Sequence, residues 1–356
     1  VSAETLTWLR ENIRIGFTDE RGPAWWANKA NGEYMTDGTH FDGPVPVEEV
    51  KRLLDVKLVS GPVSSVFTDG SNRIPVVDPE RQSIIRVHDA GTADARGEIL
   101  GVFKSGYRIH GYDEWINKAL STITDSNLET AAVALLRKGA VAFHQVKLPE
   151  QWEVGGFAFT PWFTGATSCD GSLLTTWFTG VDAAVCDNTF EMARQGAQTR
   201  VGFKHTRNSC AKMEEARSTL GLTLKAGEDF AAMAEELQAV EVSDKDFDLW
   251  LDEMVPMPEA KSADKPGRGY TIAENKREAM RALWLHDPKV QPWNGTGFGL
   301  LQLDNTWRTW ERTVQVADGG RMERNMLNLT LGKTADDDSK ALAALKSVQE
   351  RKLVIA

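Results

Sequence analysis

Between Cys169 and Ser209 the chain concentrates side chains that could do chemistry: Asp170, Ser172, Cys186, Asn188, Thr189, Lys204, His205, Arg207 and Asn208. A cysteine and a histidine are the types required for a thiolate nucleophile and its base. Cys186 with His205, oriented by Asp170 or Asn188, is therefore one chemistry open to this stretch. A metal centre from Cys169, Cys186, Cys210 and His205 is another, since thiolates and imidazole suit zinc. The close ligand pairing of a zinc site, such as CxxC, is missing, and spacing alone does not bring Cys186 to His205. Cys186 also sits among Val181, Ala183, Ala184, Val185 and Phe190, the setting of a small buried thiol. No catalytic residue, metal ligand or cofactor is assigned on this basis, and a non-catalytic protein is ranked ahead of an enzyme. Asp170-Gly171-Ser172 reads as a turn, and Asn188-Thr189 as side chains that bond nearby backbone.

The other chemistry is phosphate binding. Lys204, His205, Arg207 and Lys212, with Arg194 and Arg200 nearby, form the densest basic cluster of the chain. It reads either as a solvated face balancing Glu214 and Glu215 or as a groove that tracks a phosphate backbone. Arg207 would lie near a helix N-terminus, whose backbone N–H groups favour an anion. Lys104, Tyr107 and Arg108 fall at a hairpin, where readers of single strands place stacking and basic groups. Arg321 and Arg324, with Arg308 upstream, form a second basic patch that could complete the groove. A net charge of −10 excludes a protein coated for DNA but not a local basic groove.

These residues need a scaffold, and 356 residues are enough for one large domain or two modest ones. With 41% apolar and 26% charged residues the composition is that of a globular protein, and no apolar run approaches a membrane span. The start, VSAETLTWLREN, lacks the basic and apolar regions of a secretory signal. Three widely spaced cysteines fit reduced thiols in a cytoplasm. Twelve tryptophans against four tyrosines are read as core residues ahead of stacking platforms.

Alternation predicts strands at Val56–Leu58 and Val63–Phe67, then a small meander through Ile84–Val87, Ile99–Phe103 and Tyr107–His110. Helical periodicity is read over Asp113–Leu120 and over Leu128–Arg137, closed by Lys138-Gly139. Strands follow at Ala140–Val146, Phe157–Phe163, Leu173–Phe178 and Thr199–Lys204, with a short helix ending near Met192. Helices are expected over Cys210–Val240, through Phe247–Met254, and at Thr271–Leu285, Leu300–Val314 and Lys333–Ala356. The resulting class is α+β, an antiparallel sheet packed by helices with a helical C-terminal third. Residues 1–256 would form the core domain around the 169–209 signature, 257–270 an exposed loop, and 271–356 a helical region packed on the core. No Walker or Rossmann phosphate loop is present. Gly295-Thr296-Gly297-Phe298-Gly299 lacks the lysine and the preceding strand.

The phrases GPAWW (22–26), VPVEEVKRLLDVKLVSGPV (45–63), ILGVFKSGYRIHGYDEWI (99–116), CDGS (169–172), AVCDNTF (184–190), KHT (204–206) and GTGFGLLQLDNTW (295–307) occur in an order that resembles the phage/plasmid-like protein family, whose shared domain is of unknown function. The resemblance covers nearly the whole chain. The family signature resembles H-D-G-S, V-C-x-N-T-L and H-T; this chain carries Cys169 in place of the first histidine, Phe190 for the leucine, and Trp26 where a Pro-Trp-His motif has histidine. The resemblance implies DNA metabolism in phages, plasmids and their bacterial hosts, and no particular reaction. The leading expectation is a non-catalytic, homo-oligomeric protein that binds or anneals single-stranded DNA in replication or recombination, in the cytoplasm of a bacterial host, with no membrane partner. A thiol- or metal-dependent enzyme acting on nucleic acid or nucleotides is the alternative, and a phage structural or host-interaction protein the third.

Overall fold

The computed structural model describes residues 3–18, 38–112, 115, 129–148, 152–154, 157–183, 189–191, 200–205, 230–259, 267–313 and 320–355. Its class is α+β, with antiparallel sheets and helices gathered in the C-terminal part. The first half holds α1 (Ala3–Asn12), β1 (Ile13–Ile15), α2 (Val47–Leu54), β2 (Leu58–Asp69), β3 (Asn72–His88) and β4 (Arg96–Lys104). Then come β5 (Thr130–Leu136), β6 (Val141–Lys147), β7 (Trp152–Val154), β8 (Phe157–Ser168), β9 (Thr175–Ala183), β10 (Thr189–Glu191) and β11 (Arg200–Phe203). Residues 230–238 are helical. They precede α3 (Asp244–Met254), α4 (Arg268–His286), α5 (Gly297–Thr306), α6 (Gly320–Thr330) and α7 (Lys333–Ile355).

The larger sheet has the order β1-β5-β6-β8-β9-β10, with β11 also on β9 and β7 on β8. Its interior strand β5 corrects the sequence reading, which placed a helix over 128–137. Every residue of TAAVALL is buried in β5, between β1 and β6. A strand covered on both faces needs no polar alternation, so an unbroken apolar run fits it as well as it fits a buried helix. Lys138-Gly139 is then no helix cap. Arg137, Lys138 and Gly139 take φ of 52°, 58° and 83° and reverse the chain into β6. Two further readings are corrected. Thr189–Glu191, expected in a short helix, pairs with β9 as β10. Tyr107–His110, expected as a strand, pairs with no strand among the described residues, because its rings turn inward. The helix expected over 113–120, apart from Trp115, and residues 210–229 of the helix expected over Cys210–Val240 lie outside the described residues.

Alternation along β5 sorts the core. Ala132, Ala134 and Leu136 face one side with Phe143 and Phe178, where α1 and the α6 residues Met322, Met326 and Leu329 cover them. Val133 and Leu135 face the other side with Phe163, Cys169 and Trp177, beneath α2 and the segment Tyr107–Trp115. A third cluster joins 230–238 with α3, α4, α5 and α7 around Trp250, Trp293 and Phe298. It therefore joins elements from both sides of residues 257–270; of that expected loop, Arg268–Tyr270 instead open α4, and 260–266 lie outside the described residues. Trp250 donates Nε1–H to the Ala341 carbonyl at 3.1 Å, so this large ring is buried without an orphaned polar atom. Trp8, Trp115, Trp162, Trp177, Trp284 and Trp293 are core residues too. No helix among the described residues is long and apolar enough to cross a membrane.

The smaller sheet is the antiparallel meander β2-β3-β4. Register shifts at Pro62/Val63 and Ile84/Ile85 bend it. Beyond Arg81, where β4 pairing ends, β2 and β3 continue as a two-stranded ribbon. The ribbon exposes Val66 (54%) and Phe67 (51%), adjacent residues that point to opposite faces, together with Val76 and Val77.

Candidate nucleic-acid interface

After β4 the chain turns at Ser105-Gly106, with Tyr107 N–H donating to the Lys104 carbonyl at 3.0 Å. The next four residues are held by side chains instead of by a strand. Gln82 Nε2 donates to the Tyr107 carbonyl at 2.8 Å, and Tyr107 Oη donates to the Ser168 carbonyl at 3.0 Å. From the other direction β11, carried by β9, delivers His205 to the same place. The backbone of Arg108 donates to the His205 carbonyl at 3.2 Å, and His205 Nδ1 donates to the Arg108 carbonyl at 3.2 Å. These contacts assemble a column of rings. Phe103 stacks on Tyr107 at 4.0 Å, Tyr107 on His205 at 4.9 Å, His205 on His110 at 3.9 Å, and His110 on Trp115 at 3.6 Å.

Two threonines satisfy the imidazoles. Thr175 Oγ1 lies 2.6 Å from His110 Nδ1 and 3.1 Å from His205 Nε2, and Thr167 Oγ1 lies 3.3 Å from the same Nε2. Because the Arg108 carbonyl only accepts, His205 carries its proton on Nδ1 and receives a hydroxyl proton at Nε2. Both rings are neutral. Burial lowers the pKa of His205 to about 4, against the Arg108 backbone bond, which raises it. Burial, helped by the neighbouring His205, lowers that of His110 to about 3. His144, bonded to Thr130 at 3.0 Å, is lowered by burial to about 4.

A pH dependence follows. Unfolded, each imidazole takes a proton near its ordinary value of about 6.5. The histidine contribution to stability is thus complete above pH 6.5 and is lost as pH falls from there toward 4, since the unfolded chain binds protons that the fold refuses. Between pH 8 and pH 5 each buried histidine should cost up to about 2 kcal/mol. Urea denaturation at the two values measures this, and His205→Gln should flatten the slope. A wild-type midpoint that does not move would show these imidazoles to be protonated in the fold.

Lys104, Arg108 and Lys204 are exposed where these two segments join. The structure thus unites two groups that the sequence held about a hundred residues apart. His205, at 7% exposure with both nitrogens engaged, and Tyr107, with its hydroxyl committed to Ser168, are the scaffold that fixes these cations and not the contact surface itself. Arg200 lies on β11 opposite Phe178. Arg194 and Arg207 lie outside the described residues, as do Cys186 and Cys210. Cys169 is buried in the sheet core, and burial pushes its thiol up to about 11, with Tyr112 acting the other way and Asp170 adding to the rise. It is a core thiol, not a nucleophile. Asp170 makes the expected turn, accepting from Ser172 N–H at 2.9 Å, and it also holds Arg137 at 3.0 Å.

The second basic patch sits elsewhere. Met322 and Met326 seat α6 on the sheet face opposite the one that carries the ring column, so Arg321 and Arg324 do not continue the Lys104–Arg108–Lys204 rim. They face the π-helical turn Trp307–Glu311 that ends α5. Arg324 donates to the Arg308 carbonyl at 2.7 Å, and Arg321 to that of Thr309 at 3.2 Å. Burial and the charges of Arg321 and Arg312 bring Arg324 down to about 10. Arg308 is neutralised by Asp304 at 2.7 Å and Asp338 at 2.5 Å. Sequence reasoning missed Lys276, whose Nζ sits 4.0 Å from the Trp307 ring centre, and Arg312. The available signal was the run Trp307-Arg308-Thr309-Trp310 with Arg312 beyond it.

A family model described as "Domain of unknown function (DUF932)" matches residues 99–329. The chain belongs to this family. The DUF932 match begins within β4, takes in the ring column and strands β5–β11, and ends within α6. No curated protein and no solved structure matches the chain.

Proposed function

We propose that this DUF932 chain is a non-catalytic, phage- or plasmid-borne protein that binds or anneals single-stranded DNA during replication or recombination in a bacterial cytoplasm. The observation that carries this reading is the rim of Lys104, Arg108 and Lys204, three exposed cations whose backbone is held beside a column of stacked rings. Convergent cations need no positive total charge, and three are enough for a local track on an acidic protein. Binding of this kind is electrostatic and indifferent to sequence. The same proposal takes the protein to be a homo-oligomer, for which the exposed Val66, Phe67, Val76 and Val77 of the ribbon offer an apolar contact.

The test is fluorescence anisotropy of a labelled single-stranded oligonucleotide, beside its duplex, at two salt concentrations. Single strands should bind more tightly than duplex, with steep salt dependence. Replacing Lys104, Arg108 and Lys204 together by Gln should lower the slope of log affinity against log salt by about 2, at about 0.7 per phosphate contact. An unchanged slope in this variant rejects the rim as the DNA track.

A further inference from the structure

A cleft of about 790 Å³ opens between α4, α5 and α7, away from the ring column. Met254, Ile272, Ala343 and Ala344 give it apolar lining, and Lys276, Trp307 and Arg312 line it as well. The charges are unevenly satisfied. Each carboxylate lining the cleft already has a cation: Glu253 pairs with Arg351, Asp304 with Arg308 at 2.7 Å, and Asp337 with Lys340 at 3.0 Å. Lys276 instead lies over the Trp307 ring, and neither it nor Arg312 has a carboxylate within 4.0 Å among the described residues. Burial holds the Lys276 pKa down; Asp304 and Asp337 pull it up, while Arg312 and Arg308 press it lower. Arg312 likewise lowers Arg324. Lys276 and Arg312 thus line a partly dry cleft as cations without a carboxylate partner among the described residues, and an anion there would be stabilised more than in open water. The π-helical turn Trp307–Glu311 contributes Trp307 and Arg308 to the lining, and such turns often mark functional sites.

We propose that this cleft binds a nucleoside monophosphate, with the phosphate on Lys276 and Arg312 and the nucleoside against the apolar lining of Met254, Ala343 and Ala344. The volume lies within the range of small-molecule sites and exceeds what a bare phosphate would fill. Arg312 is exposed and can close on the phosphate in two-pronged fashion, while Lys276, anchored on the indole, supplies a fixed point charge. This site does not depend on the DNA reading, because it shares no residue with the Lys104–Arg108–Lys204 rim.

Isothermal titration of the full chain with AMP, GMP, CMP and UMP, and with adenosine and inorganic phosphate as partial probes, tests it. At least one nucleotide should bind, with adenosine and phosphate each at least about tenfold weaker. Lys276→Gln and Arg312→Gln should each weaken the nucleotide about tenfold while leaving the melting temperature within a few degrees. Arg312 is exposed, so its variant reports even if Lys276→Gln fails to fold. The Gln variant of Lys104, Arg108 and Lys204 should bind the nucleotide as wild type does. The proposal is overturned if none of the four nucleotides binds at millimolar concentration, if adenosine matches AMP, or if Arg312→Gln binds like wild type.

Discussion

Gly299→Ala should lose about 3 kcal/mol of stability, a large effect for one added methyl group. Gly299 lies in the first turn of α5, where a Cβ would be driven into the Trp293 carbonyl and would also lie 3.2 Å from the Trp284 ring. The Trp293 carbonyl cannot retreat, because it accepts the Thr296 hydroxyl at 2.7 Å, and Thr296 caps the helix by accepting from Gly299 N–H at 3.1 Å. At Gly297, two residues earlier, a Cβ would lie 3.1 Å from the Leu237 carbonyl. Both glycines let a helix whose ten residues are all buried press against neighbouring backbone. The glycine-rich run that fails as a phosphate loop is thus a packing device. Urea denaturation against a Gly106→Ala control, where a Cβ meets nothing within 4 Å, makes the comparison. A Gly299→Ala midpoint equal to that of the control would remove the close approach.

Arg308→Met should cost roughly 3–5 kcal/mol at pH 7.5, because it strands buried carboxylates without a countercharge. Arg308 is 12% exposed and holds Asp304, Asp338 and, at 4.0 Å, Asp337, tying the end of α5 to the second turn of α7. Burial opposes its charge, yet the aspartates together raise the guanidinium pKa above its ordinary value. The methionine fills most of the volume, so the loss would be electrostatic and should respond to pH. Protonating a stranded carboxylate relieves the repulsion, and the deficit relative to wild type should shrink at pH 4.5. Adding Asp304→Asn and Asp338→Asn to Arg308→Met should recover part of the loss at pH 7.5. A deficit independent of pH, with no recovery in the triple variant, would assign the effect to packing.

The helical third was legible because helical periodicity is local: the helices expected at Thr271–Leu285 and Lys333–Ala356 lie within or over α4 and α7. Of the meander read over Ile84–Val87, Ile99–Phe103 and Tyr107–His110, the first two segments lie in β3 and β4, while the third is no strand and the sheet is completed by β2. Asp170-Gly171-Ser172 formed the turn its residues require, with Gly171 at φ 77°.

Burial on both faces hid β5. A continuous apolar run has no period, and only the pairing with β1 and β6 decides its state. The same holds for the site. Lys104, Arg108, Lys204 and His205 were visible as residue types, but their meeting rests on a stack between His110 and His205 and on two threonines of separate strands. Sequence distance says nothing of such contacts. Nor could it show that Arg321 and Arg324 belong to the opposite face, or that Lys276 and Arg312 share a cleft. By itself the sequence determined most helical periodicities and the Asp170-Gly171-Ser172 turn, because each depends on neighbours within a few residues. Which cations are exposed, which are neutralised and which stand together was decided only by tertiary structure, since burial and Coulomb energy depend on distance in space.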